Sequence, residues 1–488
     1  MKKMFFAALA ATMMFASCNK EVDGVNGDSF EGESTGMGLT ITLPSAAEGR
    51  ATGSEGTTVN ATTAESALNT IYVFIYKTDG TAATGNGTEL NLTGDFDHVG
   101  GTTYELKAGS RIEATAGAKK IYIVANLPAG ITAPASELAL KAMIEDWDTV
   151  ADSWNMGLGK FVMSSDLTSK TLVAEAYDVP VSANVVSVDL KRIMSKVTVT
   201  ADAPGARFEQ HFSLLPAFKI EYFISHFEVA QVAKSAYLIQ NVDAVTGNLV
   251  TPNANRTGHL PSTVAVGGAF ASVVGGTTGT VPDITNNTAR YIGENYPESG
   301  KIKDATYVMI RTMIKPNQKA VATGSVITWE SLAAGDFAGG TGSNLWTVRS
   351  LITGQVYFCA SSADSDDVAD ALQSPAGGHS SGDIELVTYN ACKAYFTVLI
   401  NQDRTGKEGV IYRNQYIQLD IAGITNDIFN GMPGDPTDPT GDTPPDPQDP
   451  DNPDPWNPED PIVEEPAGLH VNVTVAPWDY IPNSIMLK

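Results

Sequence analysis

The sequence predicts a mainly β protein made of two β-sandwich domains in tandem, followed by a proline- and aspartate-rich linker and a C-terminal strand. Its 488 residues are enough for two or three domains that each bury a core. Val, Ile, Tyr and Phe occur in short runs separated by segments rich in glycine and threonine, which is typical of antiparallel β-structure. After residue 430 the composition changes to a run of proline and aspartate.

The N-terminus has the pattern of a signal peptide. Two lysines precede an apolar run at residues 4–15, which is too short to span a bilayer. The run ends in Phe-Ala-Ser-Cys at 15–18, which resembles a bacterial lipobox, where signal peptidase II cuts before the cysteine and the thiol carries the lipid. The resemblance predicts a lipoprotein signal peptide at 1–17 and membrane attachment through acyl chains on Cys18. An ordinary signal peptide with a chance cysteine is the alternative.

The first predicted strand lies at residues 39–43, Leu-Thr-Ile-Thr-Leu, where apolar and polar side chains alternate. A spacer at 19–35, rich in glycine, serine and acidic residues, precedes it and is predicted to be disordered. A loop of small residues follows and contains Arg50 and Ala51. A trypsin-like protease could cut at a basic residue in such an exposed loop, although a solvated arginine is the simpler interpretation.

Strand-like segments continue through the rest of the chain. They are predicted at residues 71–76, 121–124, 185–200, 218–224, 307–314, 355–359, 395–400 and 414–421. One helix is predicted from Ser136, as N-cap, to about Trp147. The pattern pauses at residues 201–205, so we expect an N-terminal sandwich at 51–203 and a C-terminal sandwich at 204–430.

The tail combines a stiff spacer with one more strand. Proline density forbids helix in residues 431–466, and no Lys or Arg interrupts their acidic residues, so an extended linker is predicted. Residues 467–488 carry an apolar face at strand period. That face consists of Leu469, Val471, Val473 and Val475, with Trp478 following. A lone strand cannot bury such a face, so it either folds back onto its own domain or is added to a neighbouring molecule.

No catalytic or metal-binding constellation is predicted, and no cofactor. None of the six histidines pairs with another at metal-ligand spacing: His98, His211, His226, His259, His379 and His470. The sequence contains neither a glycine-rich phosphate loop nor a nucleophile elbow. Residues 364–367, Asp-Ser-Asp-Asp, lack the glycine and glutamate of a calcium loop, so a solvated acidic turn is predicted. A net charge of −25 argues against nucleic-acid binding, because nothing would neutralise phosphates.

Two further cysteines, Cys359 and Cys392, lie in apolar, strand-like surroundings. Buried free thiols are the simpler interpretation. A disulfide between them stays open as an alternative, because an exported protein permits one and the sequence cannot show proximity.

Several landmarks occur in a set order along the chain. They are the lipobox cysteine, the early strand before Arg50, the stretches 191–199 (Lys-Arg-Ile-Met-Ser-Lys-Val-Thr-Val) and 291–297 (Tyr-Ile-Gly-Glu-Asn-Tyr-Pro), the strands at 307–311 and 413–417, and the proline/aspartate tail ending at Trp478. In this order they resemble the fimbrillins of the Bacteroidales, the type V pilins, and most closely the Mfa-type major subunits of short fimbriae. No single landmark is specific.

That resemblance implies transthyretin-like sandwich domains and a structural pilin, the shaft subunit of a surface fimbria that supports adhesion. A lipidated precursor would reach the outer membrane, where an arginine-specific protease would cut between Arg50 and Ala51. The cut would remove the segment 18–50 with its strand residues Leu39, Ile41 and Leu43. The C-terminal strand of the next subunit would act as donor strand and fill the groove, giving a head-to-tail polymer.

The partners implied by the resemblance are other copies of the chain, accessory tip and anchor subunits, the maturation protease and host surface ligands, with the membrane contacted through the lipid on Cys18 before maturation. The main alternative is a monomeric outer-membrane lipoprotein adhesin, or a tip, accessory or anchor subunit that binds host protein or glycan. A secreted hydrolase is the third alternative.

Overall fold

The computed structural model is mainly β, as the sequence predicts. It describes residues 32–43, 65, 67–127, 130–146, 161–175, 182–201, 207–233, 235–252, 271–272, 274–275, 289–339, 342–400, 409–426, 429, 431–445, 469–477 and 484–485. The domain boundary predicted near residue 203 lies outside these residues.

The strands and helices up to residue 201 belong to the first half of the chain. They are β1 (Ser34–Thr42), β2 (Thr70–Lys77), β3 (Thr88–Asn91), α1 (Leu92–Asp95), β4 (Phe96–Gly100), β5 (Thr103–Leu106), β6 (Ile112–Thr115), β7 (Gly117–Ala125), α2 (Glu137–Lys141), β8 (Ile144–Asp146), β9 (Met163–Ser165), β10 (Thr168–Leu172), β11 (Val185–Arg192) and β12 (Ser195–Ala201).

The second half contains the remaining strands and one longer helix. They are β13 (Arg207–His211), β14 (Lys219–Ala230), β15 (Ser235–Tyr237), β16 (Asn241–Val242), β17 (Leu249–Val250), β18 (Ala271–Ser272), β19 (Val274–Gly275), β20 (Arg290–Ile292), β21 (Tyr307–Pro316), β22 (Gln318–Thr323), β23 (Val326–Ser331), β24 (Leu345–Ser350), β25 (Val356–Cys359), α3 (Ser362–Gln373), β26 (Ile384–Tyr389), β27 (Lys393–Leu399), β28 (Gln415–Ile424), β29 (Met432–Pro433), β30 (Leu469–Pro477) and β31 (Ser484–Ile485).

One sheet organises the first half, in the order β3-β2-β7-β9-β11-β1-β5-β4, with β10 paired to β7 and β6 to β1. Strand β2, between β3 and β7, is buried on both faces, as a run of β-branched and aromatic residues predicts. Ile71, Val73 and Ile75 point into the core that also contains β1. The alternate residues of β2 pack into a second cluster with Leu140 and Leu238. We call this sheet the first-half sheet.

Two sheets face each other in the second half and enclose one core. The first has the order β19-β12-β28-β30-β31 and the second β13-β14-β21-β27-β29. Val199 and Leu419 from the first sheet share a cluster with Tyr222, Ile310 and Phe396 from the second. This is a β-sandwich with apolar side chains alternating inward. Between β21 and β27 the chain inserts the hairpin β22–β23, the three-stranded sheet β25-β24-β26, and α3.

The strand predicted at 185–200 is in fact two strands in different sheets. β11 belongs to the first-half sheet and β12 to the sandwich. Ile193 and Met194 between them are buried. Because the apolar pattern continues across this break, periodicity alone could not locate it.

The predicted helix at 136–147 begins correctly and ends early. Ser136 caps α2, and its hydroxyl accepts a hydrogen bond from the Ala139 amide at 3.2 Å. The helix stops at Lys141, and Ile144–Asp146 instead forms β8, paired with β15. Pairing with a distant strand overrides local helix propensity here.

The acidic turn predicted at 364–367 is wrong, because these residues lie in α3. The Ser361 hydroxyl accepts from the Asp364 amide at 3.1 Å and caps the helix. Val368 and Leu372, four residues apart, are buried under it. Acidic residues near a helix N-terminus interact favourably with the helix dipole, which accounts for their position.

The linker predicted as extended from residue 431 is folded over residues 434–445. The Asp438 carboxylate accepts from the amides of Thr440 at 2.9 Å and Thr443 at 2.8 Å, which makes consecutive turns. Asp442 pairs with Lys393 at 2.6 Å and anchors these turns to β27. A Cβ at Gly441, which has φ +60°, would lie 2.3 Å from the Asn390 carbonyl oxygen, so only glycine fits. Residues 446–466 lie outside the described part of the chain.

A buried carboxylate on β14 makes the second half sensitive to pH. Glu228 is 1% exposed, and neither carboxylate oxygen has a hydrogen-bond partner among the described residues. Burial raises the pKa of Glu228 to about 7, although Arg290 and Arg311 oppose the shift. A carboxyl group with a raised folded-state pKa binds its proton more tightly when folded. Its contribution to stability is therefore present below pH 4.5 and is lost as pH rises through about 7.

We predict that Glu228→Gln removes this pH dependence. Relative to wild type, the variant should gain about 1–3 kcal/mol in free energy of unfolding between pH 5 and pH 8, because it no longer ionises in the core. Urea denaturation at both pH values measures the difference. Glu221→Gln on the same strand, more accessible to solvent, is the matched control. Equal pH profiles for wild type and Glu228→Gln would contradict the prediction.

Candidate functional site

The first strand occupies an interior position in its sheet. On one side β1 pairs in parallel with β11, from Gly38–Val185 to Thr42–Asp189. On the other side its beginning pairs with β6 and its end with β5, both antiparallel. Loss of β1 would leave both neighbouring edges with unpaired backbone N–H and C=O groups. We call the position that β1 occupies the β1 slot.

The apolar face of β1 completes the core of the first half. The predicted residues Leu39, Ile41 and Leu43 are all buried. The structure adds Met37, so four buried apolar side chains alternate along β1 and the residue that directly follows it, Leu43. The prediction began at residue 39 and missed this residue, although Met37, Leu39 and Ile41 already alternate in the sequence.

The last strand is paired within the same chain. β30 runs antiparallel to β28, from Gln415–Pro477 to Ile424–Leu469, and the short β31 pairs with β30. Val471 is 3% exposed and belongs to the sandwich core. Of the two alternatives left open by the sequence, the single chain shows the fold-back, and insertion into a neighbouring molecule stays a prediction. The physical reason for the fold-back is that β28 would otherwise present an open edge beside a bare core.

A buried ionic cluster joins the first-half sheet to the sandwich. The Lys196 ammonium lies 2.7 Å from Glu65 Oε1, and both side chains are at most 1% exposed. The Tyr291 hydroxyl donates to the same carboxylate oxygen. Arg192 Nε donates to the Glu65 carbonyl oxygen at 2.8 Å, and its backbone N–H donates to Asn414 Oδ1. Burial lowers the pKa of Lys196, and the Glu65 carboxylate opposes that shift.

Arg413 makes a second buried contact between the halves. Its Nε and Nη2 donate to the two carboxylate oxygens of Glu294, at 3.0 and 2.6 Å. Nη1 donates to Ser164 Oγ on β9, a strand of the first-half sheet, and to the Leu238 carbonyl oxygen, both at 2.9 Å. Nη2 also donates to the Tyr237 carbonyl oxygen. We call the residues of these two contacts the junction cluster: Glu65, Arg192, Lys196, Tyr291, Glu294, Arg413 and Asn414.

Three stretches that carry the family resemblance meet in the junction cluster. Residues 191–199 supply Arg192 and Lys196, residues 291–297 supply Tyr291 and Glu294, and residues 413–417 supply Arg413 and Asn414. These stretches stand out in the sequence as landmarks, but the sequence does not indicate what they contact. Their partner Glu65 carried no local signal.

Cys359 and Cys392 are free, buried thiols, so the disulfide left open by the sequence is not formed. Cys359 belongs to the cluster under α3, and Cys392 to the sandwich core. The Cys392 thiol donates to the Ser343 carbonyl oxygen at 3.1 Å. Burial raises the pKa of Cys359 to about 12 and that of Cys392 to about 11, which makes both unreactive.

Four predicted site residues lie outside the described residues: Cys18, Arg50, Ala51 and Trp478. Arg50 falls in the segment 44–64, which connects the end of β1 to Glu65. The described part of the chain contains no group of three or more side chains able to hold a metal ion. None of the helices in the described ranges has the length and apolar character needed to cross a membrane.

A cleft of about 790 Å³ opens on the sandwich beside the turn that joins β13 to β14. Phe212, Leu215, Phe218 and Phe429 line it, together with the charged side chain of Arg349. Arg349 Nη2 donates to the Phe429 carbonyl oxygen at 2.7 Å. The volume is in the range of small-ligand pockets.

Comparison with known proteins gives a consistent result. A family model described as major fimbrial subunit protein (FimA) matches residues 37–201. Two curated proteins of Porphyromonas gingivalis, both named minor fimbrium subunit Mfa1, are 25% and 24% identical over 98% of this chain and 98% of their own length. Among solved structures, the tip fimbrial protein Mfa3 of the same organism, with a C-terminal truncation, has a TM-score of 0.37 at 11% identity over 80% of this chain and 96% of its own. That structural likeness is too distant to bear on function.

We predict that Ile41→Ala destabilises the first half of the chain strongly. Removing a side chain with 0% exposure from this core should cost about 2–5 kcal/mol in the free energy of unfolding. Thr40→Ala on the same strand, with its half-buried side chain, should cost less than about 1 kcal/mol. Urea denaturation followed by circular dichroism compares the two. Equal effects would mean that the apolar face of β1 does not hold the sheet together.

Proposed function

We propose that the chain is a fimbrial subunit of the Bacteroidales fimbrillin family and a component of cell-surface fimbriae, and that it acts as a shaft subunit that polymerises by protease-activated strand exchange. The observation that carries the proposal is that β1 is an interior strand whose apolar residues, at every second position, are buried. A second strand whose sequence has apolar residues at every second position, β30, lies near the end of the chain.

The two strands match in length and pattern. Buried apolar residues stand at every second position in β1 and directly after it: Met37, Leu39, Ile41 and then Leu43. In β30 the residues Leu469, Val471, Val473 and Val475 repeat the same spacing. Because side chains in a strand alternate between faces, a strand with this spacing can present four apolar groups to the first-half core once β1 is gone.

Proteolysis would vacate the β1 slot. A cut between Arg50 and Ala51 falls in the segment 44–64, so it would separate β1 from Glu65 without touching any described strand. The released segment 18–50 would carry the lipid on Cys18 with it, so the precursor is held at the outer membrane and the cut subunit is not. This supports an arginine-specific protease as a maturation partner, and tip and anchor subunits as further partners at the filament ends.

The exchange moves β30 from a position flanked on one side only by a two-residue strand to a position flanked on both sides by longer ladders. In its own subunit, β30 pairs with β28 on one side and only with the short β31 on the other. In the β1 slot a strand has β11 on one side and both β5 and β6 on the other. Since the donor strand of one copy fills the slot of the next, the contact is heterologous and generates an open filament.

Ligand recognition is a second candidate function, favoured by the aromatic cleft with Arg349. A cleft of this kind suits a small ligand with a carboxylate or a sugar ring. An adhesin that stays monomeric after proteolysis would use it without strand exchange. The two functions are therefore separated by the behaviour of the cut protein.

We predict that the lipid-free precursor, carrying Cys18→Ser, forms a ladder of oligomers on unboiled gels after treatment with an arginine-specific protease. Deletion of residues 467–488 should abolish the ladder while leaving the cut unchanged, because no donor strand is then available. Arg50→Ala should prevent both the cut and the ladder.

The deletion and the arginine variant serve as each other's controls, since one leaves the slot empty and the other leaves it filled. Wild-type protein that is cut after Arg50 yet remains strictly monomeric would overturn the shaft proposal and favour the adhesin.

We further predict that a cross-link which holds β30 against β28 of its own subunit blocks polymerisation. Gln418 and Thr474 are directly opposite in the β28–β30 register. Cysteines at both positions should form a disulfide, since opposite Cβ atoms in such pairs lie about 4.5–5.5 Å apart. The oxidised variant should be cut but stay monomeric, and reduction should restore the ladder.

The matched control places two cysteines at Val321 and Thr328, opposite residues of the hairpin β22–β23. This cross-link is remote from both exchanging strands, so the control should polymerise in both redox states. If the oxidised Gln418→Cys/Thr474→Cys variant polymerised as well as the control, β30 would not need to leave its own subunit, and the exchange would be wrong.

A further inference from the structure

One continuous segment of chain links the β1 slot to the neighbour of the tail strand. β11 forms the parallel wall of the slot, and after Ile193 and Met194 the same segment continues as β12. β12 pairs in parallel with β28, from Lys196–Tyr416 to Ala201–Ile421. β28 is in turn the partner of β30. The covalent backbone of residues 185–201 therefore passes directly from the place where a strand would enter to the sheet from which a strand would leave.

The pairs along this route are oriented to resist a pull along the strands. A force along two paired strands loads their hydrogen bonds together, whereas a force across the strands breaks them one after another. β1 and β11 share five register pairs, and β12 and β28 share six. Both ladders are therefore long enough to distribute a load applied along the strand axis.

The junction cluster lies where β11 ends and β12 begins, which is the break in the continuous strand path. Arg192 ends β11 and Lys196 belongs to β12, so they flank Ile193 and Met194. Both are tied to Glu65, Lys196 through the carboxylate and Arg192 through the carbonyl oxygen. The Met194 carbonyl oxygen accepts from the Asn414 amide at 2.7 Å, which ties the break to the start of β28.

A buried ion pair is weak evidence for stability, because desolvation offsets its Coulomb energy. In some proteins a buried ion pair instead fixes one geometry where apolar contacts would allow several. At this break a fixed geometry keeps β11 and β12 from sliding or bending relative to each other under load. That is the chemistry expected of a joint that must transmit force.

We propose that residues 185–201 and the junction cluster form the tension-carrying path of the subunit, with the Lys196–Glu65 pair locking its joint. The proposal rests on the proposed function, since tension arises only in a filament. It goes beyond that function by assigning the buried charges a mechanical role that is measurable on one molecule.

The test pulls single, uncut chains at constant force through cysteine handles on a Cys18→Ser background. Handles at Ser187 on β11 and Ala422 on β28, both exposed, place the joint in the line of force. Lys196→Met should shorten the lifetime under load at least about tenfold, because it leaves a buried carboxylate without its counter-charge. Lys191→Met is the matched control. It removes the exposed Lys191–Asp166 pair on the same segment and should change the lifetime less than about twofold.

Pulling the chain along a second direction distinguishes a mechanical role of the Lys196–Glu65 pair from a general loss of stability. Handles at Glu89 on β3 and Glu113 on β6, both exposed, load the first-half sheet without crossing the joint. Along this axis Lys196→Met should change the lifetime less than about twofold. Equal shortening along both axes, or no shortening between Ser187 and Ala422, overturns the proposal.

If Lys196→Met does not fold, Glu65→Gln gives the same test, because it removes the charge and keeps a hydrogen-bond acceptor for Tyr291. These measurements use chains that never polymerise. A failed gel ladder with a selective force effect would thus reject strand exchange and leave only the mechanical strength of the joint in the single chain. A ladder without a selective force effect would reject only the tension path.

Discussion

An interior strand cannot leave a sheet without uncovering two rows of backbone groups and one face of the core. β1 is such a strand, held between β11 and the pair β5 and β6. Its four apolar side chains contribute on the order of 6–12 kcal/mol if each is worth about 1.5–3 kcal/mol. Entire domains are stable by only about 5–15 kcal/mol. A first half without any strand in this position would therefore be marginal, and the slot has to be filled either by β1 or by a strand of equivalent pattern.

The same constraint explains why a fold-back of the tail is compatible with exchange. In its own subunit, β30 pairs with the edge of β28 and buries its residue Val471. A precursor in which β1 and β30 are both paired therefore has no unfilled strand position. If β30 left in the proposed exchange, β28 would lose one of its two partners and keep β12, and this loss would largely offset the free energy of pairing and burial in the slot. What differs is that the slot offers a ladder on each side, whereas β28 offers one principal ladder. On this account the direction of assembly is set by irreversible removal of β1 rather than by a large affinity of the donor strand.

The parts of the fold that local pattern determines were predictable, and those that depend on distant partners were not. β2 was predicted to within a residue at each end because its β-branched and aromatic run is a local signal. The helix after Ser136 was overextended because β8 exists only through pairing with β15. The start of α3 and the turns around Asp438 did carry local signals, a serine cap and repeated Asp-Pro-Thr, which compositional interpretation overlooked.

The candidate site divides in the same way. Alternation identified Leu39, Ile41 and the apolar face of the last strand, since strand period is visible in sequence. The partner with which the last strand pairs in the single chain was not predictable from the sequence, because both alternatives bury the same face.

The residues of the junction cluster could be recognised in the sequence only as separate landmarks. Arg413 shows why: its five N–H groups are all used, by Glu294, by Ser164 and by two carbonyl oxygens from another segment. A buried guanidinium satisfied in this way holds one orientation only, since any rotation would strand a donor in the core. Directional bonds thus help to fix the first-half sheet against the sandwich, beside apolar contacts such as that of Phe161 with Tyr291. Directional bonds between distant segments leave no periodic trace in a sequence.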